Sequence, residues 1–292
     1  MTNDLMSKID FYNNLVNEKM KDYIENKEIP SDLQETISYS VFAGGKRLRP
    51  ALLLAACEMF GGNLQEALPY ACAIEFIHTY SLIHDDLPAL DNDDYRRGKL
   101  TSHKVFGEDL AILAGDALLS YAFEIMAEAT NDISGIYATR YIAYAAGIKS
   151  MVAGQWVDVK SNGEKIDFDK MEYIHLNKTA AMIIGAIKAG AVCGKTTEND
   201  IEIMGEYAKE IGYTFQIVDD ILDVVGDSEE LGKKTGSDEN NQKTTYVTLF
   251  GVDGAKAKAK EHTDNAVTLL NEYGEKAQFF IDLADYLLTR RK

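Results

Sequence analysis

Apolar residues recur at helical spacing in long stretches rich in Ala, Leu and Ile, and only four prolines interrupt the 292 residues. This pattern is typical of an all-α protein. It predicts helices over residues 4–28, from a cap at Ser31 to about Phe42, over 108–130, 136–158 and 169–193, and again towards the C-terminus. No Pro/Gly/Ser-rich linker divides the chain, so we expect one domain over residues 1–292.

An apolar helix in the first third of the chain runs directly into a group of aspartates. It should end near Asp86, because Pro88 disfavours the α conformation at Leu87. Asp85 and Asp86 would then lie at the negative end of the helix dipole, which costs about 0.3–1 kcal/mol per carboxylate. Their repulsion adds about 3 kcal/mol at ~5 Å and an effective dielectric constant near 20. A Mg²⁺ ion with oxygen ligands that include Asp91 would offset both penalties; a solvated acidic loop is the alternative.

A second acidic cluster lies about 130 residues further along the chain. Asp219 and Asp223 are four residues apart and share one helix face, with Asp220 beside them. Gly226 marks the expected end of this helix. The surrounding residues are mostly apolar, so three aspartates would make a poor core unless a cation neutralised them. The two clusters therefore predict two walls of one site for a metal-bound diphosphate.

Together the two clusters resemble the aspartate-rich motifs of the trans-prenyltransferases, the polyprenyl diphosphate synthases. Asp85-Asp86-Leu-Pro-Ala-Leu-Asp91 is similar to the first motif in its longer bacterial form, and Asp219-Asp220-Ile-Leu-Asp223 is similar to the second. The resemblance extends from about Ile37 to the C-terminus and is closest to bacterial farnesyl diphosphate synthases. It implies the class I isoprenoid synthase fold, a single-domain helical bundle around a central cavity, and a homodimer.

The reaction implied by this resemblance joins isopentenyl diphosphate head to tail with an allylic diphosphate, dimethylallyl or geranyl. Several Mg²⁺ ions would be shared with the substrate diphosphate. The resemblance assigns catalytic roles to Asp85, Asp86, Asp91, Lys178, Asp219 and Asp220. It assigns metal binding to Asp85, Asp86, Asp91, Asp219, Asp220 and Asp223.

Basic residues supply candidates for binding the diphosphates. Gly45, Lys46 and Arg49 lie in a Gly-Gly-Lys-Arg-Leu-Arg segment, where glycine lets the backbone turn close to an anion and Arg binds two phosphate oxygens at once. A solvated turn at a helix start is the alternative. The resemblance gives isopentenyl diphosphate to Lys46, Arg49, His78 and Arg97, and the allylic diphosphate to Arg96, Lys178, Lys233 and Lys243. The resemblance also implies that Gly45, Thr179 and Gln216 bind substrate and that Asp116, Gln155 and Asp158 support the site. The polar segment 227–245 is expected to act as a lid.

Product length should depend on the bulk below the first cluster. Tyr80 and Ser81 lie five and four residues before Asp85, roughly one helical turn down. An aromatic side chain there would close the hydrocarbon pocket, and by resemblance this pattern goes with a farnesyl product. A geranylgeranyl product is the alternative, and Tyr80 could also simply pack in the core.

Composition narrows the partners and the cellular location. The net charge of −17 argues against nucleic acid or an anionic membrane surface as a partner. Three cysteines without C-x-x-C spacing indicate neither a disulfide framework nor a zinc site. The N-terminus lacks the features of a signal or transit peptide, and no apolar run approaches a membrane span. We therefore expect a cytoplasmic protein without stable membrane insertion.

Other function classes explain fewer of these motifs. A metal phosphohydrolase could use the His84-Asp85 pair, but it would leave the second acidic cluster unexplained. A terpene cyclase would have no use for the basic segment around Lys46. A non-catalytic partner subunit of a larger prenyl synthase typically loses acidic residues, whereas both clusters are complete in this chain.

Overall fold

The computed structural model describes residues 2–25, 28–226 and 244–290. These residues are helical almost throughout, which confirms the all-α prediction. The helices are α1 Thr2–Ile24, α2 Ser31–Val41, α3 Leu48–Met59, α4 Leu64–Asp85, α5 Ser102–Phe106, α6 Glu108–Ala129, α7 Ile133–Ala146, α8 Met151–Lys160, α9 Phe168–Ile174, α10 Ala181–Cys193, α11 Glu198–Val225, α12 Tyr246–Leu269 and α13 Gln278–Thr289. A π-helical segment, His175–Ala180, joins α9 to α10, and a 3-10 segment, Asn271–Ala277, precedes α13.

Helix α4 lies at the centre of the core. Asn63 caps its start, because the side-chain oxygen accepts a 2.9 Å hydrogen bond from N of Gln65. Its middle section is buried on every face among α3, α6 and α10, as expected for a helix that is apolar all round. The helix ends at Asp85 with Asp86 as the C-cap, which confirms the predicted end. The first acidic cluster therefore stands at the C-terminal end of a buried core helix.

The long helix predicted over residues 169–193 is helical without a break, and its middle section is π-helical. A Cβ atom at Gly154 of α8 would lie 2.3 Å from the backbone N of Lys178. A Cβ atom at Gly212 of α11 would lie 2.5 Å from Cβ of Ala180. Only glycine lets α8 and α11 approach the π-helical segment this closely. Such segments are rare and frequent at functional sites, and this one carries Lys178 between two helices.

Three other helix boundaries were predicted wrongly. The helix expected over 136–158 is two helices, α7 and α8, because the backbone is extended at Gly147 and the hydrogen-bond ladder stops there. The first helix ends at Ile24 rather than at residue 28. Ser31 is the first residue of α2 and not its cap, since Pro30 holds the cap position. These differences leave the positions of both acidic clusters at helix ends unchanged.

A short hairpin follows the first acidic cluster and was not predicted. Strands β1, Tyr95–Arg96, and β2, Lys99–Leu100, pair with Arg96 opposite Lys99. The two residues between the strands, Arg97 and Gly98, have positive φ angles of 53° and 77°, as a tight hairpin turn requires. Strands of two residues have no detectable periodicity, so the sequence pattern does not reveal them.

The expectation that no apolar run approaches a membrane span is wrong, if the length and composition of the helices are the criterion. Two helical stretches, Glu108–Ala129 and Phe168–Cys193, are long and apolar enough to cross a membrane. In the second stretch, 67% of the most apolar segment is buried inside the bundle, as in a core helix. In the first, 39% is buried, so α6 keeps an apolar outer face.

Candidate active site

The first acidic cluster is held in place by its neighbours. Nε2 of Gln155, on α8, donates a 2.7 Å hydrogen bond to Oδ1 of Asp85. The loop beyond α4 curls back, so that N of Asp91 donates to the backbone O of Asp85 at 2.9 Å. Asp86 is buried, and Nε of Arg96 lies 2.7 and 2.8 Å from its two carboxylate oxygens. In this structure Arg96 therefore forms an ion pair with Asp86 of the first acidic cluster. Its binding of the allylic diphosphate stays a prediction.

The electrostatics of Asp85 fit a cation site. Burial raises the pKa of Asp85 to about 6, Lys178 opposes this shift, and the negative charges of Asp91 and Asp86 add to it. Burial also raises the pKa of Asp86, against the effect of Arg96. These carboxylates are therefore short of positive charge, and their hard oxygen atoms suit Mg²⁺.

Among the described residues, no group of three or more His, Cys, Asp or Glu side chains could hold a metal ion. Mg²⁺ typically binds through one or two carboxylates together with substrate phosphates and water. An arrangement with open carboxylates fits an ion that arrives with the diphosphate.

The second acidic cluster lies in the last two turns of α11, which ends before Gly226 as predicted. Asp220 and Asp223 are buried. Both oxygens of Asp220 accept hydrogen bonds, from Nε2 of Gln216 at 3.1 Å and from N of Tyr246 at 3.0 Å. The side chain of Asp219 is 32% exposed and pairs with Arg290 at 2.6 Å. The three carboxylates thus differ in exposure: Asp220 and Asp223 are buried, and Asp219 is partly accessible to solvent.

The π-helical segment connects the two clusters. A cavity of about 590 Å³ is lined by Asp85 and Gln155, and an adjoining one of about 140 Å³ is lined by Asp220; Lys178 and Thr179 line both. The hydroxyl of Thr179 lies 3.2 Å from Oε1 of Gln216, which in turn bonds Asp220. One aspartate of each cluster therefore lines a cavity, and the two cavities share Lys178 and Thr179. A single site for a metal-bound diphosphate between the clusters stays a prediction. Asp219 and Asp223 are not in the described lining of either cavity.

Lys178 pairs with a carboxylate of helix α8. Its Nζ lies 2.6 Å from Oδ2 of Asp158, and the two side chains are 27% and 20% exposed. Burial lowers the pKa of Lys178, but Asp158 and Asp85 outweigh it and the net pKa is raised. The ammonium group is therefore charged at neutral pH and available to a diphosphate oxygen.

Four arginines lie close enough to His78 to affect its pKa, and one of them, Arg49, lines the large cavity together with His78. Burial lowers the pKa of His78 well below its usual value, and the positive charges of Arg49, Arg97, Arg96 and Arg47 lower it further. The imidazole is therefore neutral. Nε of Arg49 is buried and has no hydrogen-bond partner among the described residues. A buried guanidinium nitrogen without a hydrogen-bond acceptor costs free energy. The part of the cavity wall formed by Arg49 is therefore suited to an anion.

The basic segment before α3 contains both buried residues that pack within the protein and residues that are exposed to solvent. Arg47 pairs with Glu75 at 2.8 Å, and both side chains are at most 4% exposed. A Cβ atom at Gly45 would lie 2.5 Å from the guanidinium carbon of Arg97, so this glycine makes room for Arg97. Lys46 is exposed. The Gly45 backbone thus packs against a cation of the protein, and its predicted contact with substrate is untested.

The wall of the large cavity below Asp85 is apolar. Tyr80, Met151, Val152 and Trp156 line it together with Ser81. The ring of Tyr80 stands edge-on to His84 with 5.7 Å between ring centres, and 8% of the residue is exposed. The cavity therefore has a charged mouth and an aromatic-lined apolar interior.

Lys233 and Lys243 lie outside the described residues, as does nearly all of the predicted lid over 227–245. At its described end, Thr245 caps α12 and Oγ1 of Thr244 accepts a 3.2 Å hydrogen bond from N of Ile166. Thr244 and Thr245 line the smaller cavity. The C-terminal end of this segment therefore borders the site.

Comparison with known proteins identifies the family. The family model of polyprenyl synthetases matches residues 30–281. The chain belongs to this family. It is 47% identical over 282 residues to a chloroplastic geranylgeranyl pyrophosphate synthase of Catharanthus roseus, which covers 95% of this chain and 79% of the relative. It is 46% identical to a dimethylallyltranstransferase of Fischerella ambigua, over 89% of this chain and 77% of the relative.

Solved structures agree with this assignment. The crystal structure of a FPP/GFPP synthase from Zymomonas mobilis superposes with a TM-score of 0.87 at 32% identity, covering 99% of this chain and 100% of that one. The fold is therefore the class I isoprenoid synthase fold, and the chain is a prenyltransferase that elongates isoprenoid diphosphates head to tail. The predicted family and fold are confirmed.

Two charged residues near the site were not singled out from the sequence. Arg290 bonds Asp219 across 71 residues of sequence, and no local pattern reveals such a contact. Glu75 could have been found, because it is a lone acidic residue within the apolar run Cys-Ala-Ile-Glu-Phe-Ile. A charge in a fully buried helix needs a partner, and Arg47 provides it.

Proposed function

We propose that the protein is a Mg²⁺-dependent farnesyl diphosphate synthase that condenses isopentenyl diphosphate with dimethylallyl or geranyl diphosphate. The product length rests on Tyr80. This buried aromatic residue lines the apolar cavity five residues before Asp85. Its ring occupies volume into which a longer hydrocarbon tail would otherwise extend.

The first half of the reaction takes place between the two acidic clusters. The bond between the allylic carbon and its oxygen breaks, and both electrons leave with the diphosphate. Lys178, held between Asp158 and Asp85, supplies a protonated amine to the departing oxygens. Bound Mg²⁺, held by Asp85, Asp86, Asp91, Asp219, Asp220 and Asp223, would stabilise the negative charge that develops there.

The second half joins the two substrates. The guanidinium groups around His78 hold the diphosphate of isopentenyl diphosphate, and Arg49 offers it a buried Nε. The double bond of isopentenyl diphosphate then supplies the electron pair of the new carbon–carbon bond. The released diphosphate accepts the proton that is lost. The apolar wall around Tyr80 excludes water from the cationic carbon.

A single assay tests this function. Purified protein is incubated with Mg²⁺, isopentenyl diphosphate and each allylic primer, and the dephosphorylated products are separated by chain length. A fifteen-carbon product from both dimethylallyl and geranyl primers is expected, with no turnover in excess EDTA. Release of phosphate without a coupled product would indicate a hydrolase, and no reaction would indicate a non-catalytic subunit.

A geranylgeranyl product is the second candidate. The relative from Catharanthus roseus is named for that product, and the similarity covers nearly the whole chain. The same assay separates the two, since a twenty-carbon product from a farnesyl primer would favour this alternative.

We also propose that the protein forms a homodimer through helices α6 to α8. Apolar side chains on α6, on α7 and in the turn after α7 are exposed, among them Leu113, Ile133, Ile136 and Ile148. A patch of this kind on a folded protein marks an interaction surface. Light scattering coupled to gel filtration should give twice the 32.4 kDa mass of the chain, and Leu113→Glu should shift it towards the monomer.

A further inference from the structure

Arg290, the first residue after α13, directs its side chain onto helix α11. Its Nη2 lies 2.6 Å from Oδ1 of Asp219 and donates a 3.0 Å hydrogen bond to the backbone O of Phe215. The guanidinium carbon lies 4.4 Å from the centre of the Phe215 ring. Only 4% of the Arg290 side chain is exposed. Three contacts on one planar group fix its position and orientation.

Packing of α13 brings Arg290 to this place. The apolar face of α13, including Leu283 and Leu287, is buried, and the helix packs against α11. The hydroxyl of Tyr207, on α11, donates a 2.6 Å hydrogen bond to the backbone O of Phe280. The backbone turns to an extended conformation at Arg290. The packing of α13 thus brings this arginine into direct contact with the accessible aspartate.

Asp219 differs from its neighbours in a way that suits a ligand. Both oxygens of Asp220 are used by protein hydrogen bonds. In the contacts between described residues, Asp219 uses Oδ1 alone, for Arg290. Its side chain is 32% exposed, so the carboxylate is partly open to solvent.

We propose that Arg290 is a positioning residue that holds the Asp219 carboxylate by Oδ1 and thereby presents Oδ2 to a divalent cation. This inference rests on the proposed Mg²⁺-dependent function. Hydrogen-bond partners of a ligating carboxylate fix its orientation, and their loss typically costs 10–100-fold in metal affinity. The guanidinium also offsets the repulsion between Asp219 and the adjacent carboxylates of Asp220 and Asp223.

The positive charge of Arg290 also repels an incoming cation. At ~5 Å and the dielectric constant of water, the repulsion between this charge and a divalent cation reduces affinity by roughly 15-fold. The charge of Asp219, with which the guanidinium pairs, offsets much of this repulsion, and the orienting effect amounts to about 10–100-fold. Removal of Arg290 should therefore weaken cation binding and not strengthen it.

The test measures Mn²⁺ binding by electron paramagnetic resonance in the presence of inorganic pyrophosphate. Arg290→Ala should weaken one class of Mn²⁺ sites by 10–100-fold, and Arg290→Lys should recover part of this loss. Arg290→Met keeps the apolar stem and serves if the alanine variant does not fold. Arg140→Ala, which removes an exposed arginine of α7, is the matched control and should leave Mn²⁺ binding unchanged. In turnover assays Arg290→Ala should raise the Mg²⁺ concentration for half-maximal rate, with kcat recovered at saturating Mg²⁺.

Asp219→Asn separates this inference from the proposed function. In that background Arg290→Ala should have no further effect on Mn²⁺ affinity. If Asp219→Asn weakens Mn²⁺ binding and Arg290→Ala leaves it unchanged or strengthens it, the positioning role is overturned and the metal site stands. If Asp219→Asn itself has no effect, the metal role of this cluster and the role of Arg290 both fail.

Discussion

Gln155 and Asp85 form a 2.7 Å hydrogen bond that joins helix α8 to the end of the central helix α4. The bond fixes one oxygen of a carboxylate whose pKa is raised by burial to about 6. The charged form of Asp85 is therefore oriented but poorly stabilised by the protein alone. This combination is typical of a group whose charge is neutralised by a ligand.

The first prediction concerns the stability of metal-free protein. The raised pKa means that Asp85 favours folding below about pH 4, and that this contribution is lost as the pH rises through about 6. Asp85→Asn removes the charge and still accepts the hydrogen bond from Gln155. In EDTA at pH 8 it should be more stable than the wild type by up to about 3 kcal/mol, and the difference should disappear near pH 4. Urea unfolding at each pH measures this, with Asp109→Asn on the surface of α6 as the control. Equal stability of wild type and Asp85→Asn at pH 8 would contradict the prediction.

The second prediction concerns the amine between the two cavities. Lys178→Ala removes the positive charge nearest the departing diphosphate, and kcat should fall by about 10²–10³. Lys178→Arg keeps the charge and should retain more activity. Initial rates with geranyl diphosphate measure the effect. Lys149→Ala, an exposed lysine between α7 and α8, should keep the wild-type rate; similar losses in both alanine variants would argue for a general effect of charge.

The third prediction concerns product length. Tyr80→Ala removes the aromatic ring from the cavity wall, so the product should lengthen beyond fifteen carbons. Ser81→Ala removes only a hydroxyl that donates a 2.9 Å hydrogen bond to the backbone O of His78, and it should leave the product unchanged. Chromatography of dephosphorylated products reads out both. An unchanged product in Tyr80→Ala would remove the basis for a farnesyl-specific enzyme.

The fourth prediction concerns the buried ion pair between Arg47 and Glu75. Glu75→Met leaves Arg47 charged and buried, which should cost about 3–5 kcal/mol in the free energy of unfolding. The double variant Arg47→Met with Glu75→Met removes both charges and should recover most of that loss. Urea denaturation measures each variant. Glu25→Met, which breaks the exposed pair with Lys21, should change stability by less than ~1 kcal/mol; a similarly small effect of Glu75→Met would show that the buried pair is not needed for stability.

The positions of the acidic clusters could be predicted because local chemistry fixes them. Pro88 ends α4 at Asp85 and Gly226 follows the end of α11, both as expected. Long apolar stretches gave the helices between them, apart from the break at Gly147. The motif spacing then identified the family without any tertiary information.

The remaining parts of the site depend on contacts between distant residues. Nothing near Arg290 in the sequence indicates that it reaches Asp219, because the packing of α13 decides this. The pairing of Arg96 with Asp86 depends on a hairpin whose strands are too short to recognise. The π-helical turn at Lys178 depends on the close approach of α8 and α11.

The π-helical turn ties the site to the exact length of the chain. A π-helical turn holds more residues than the α-helical turn it replaces, so removing one residue between Tyr173 and Ala180 would let α9 and α10 join as an unbroken α-helix. Each residue of an α-helix turns the following side chains by about 100°. Loss of a single position would thus swing the helix surface that carries Lys178 and Thr179 out of line with both cavities, while the bundle could still fold. A deletion of the kind that surface loops tolerate would therefore displace two residues of the proposed substrate site.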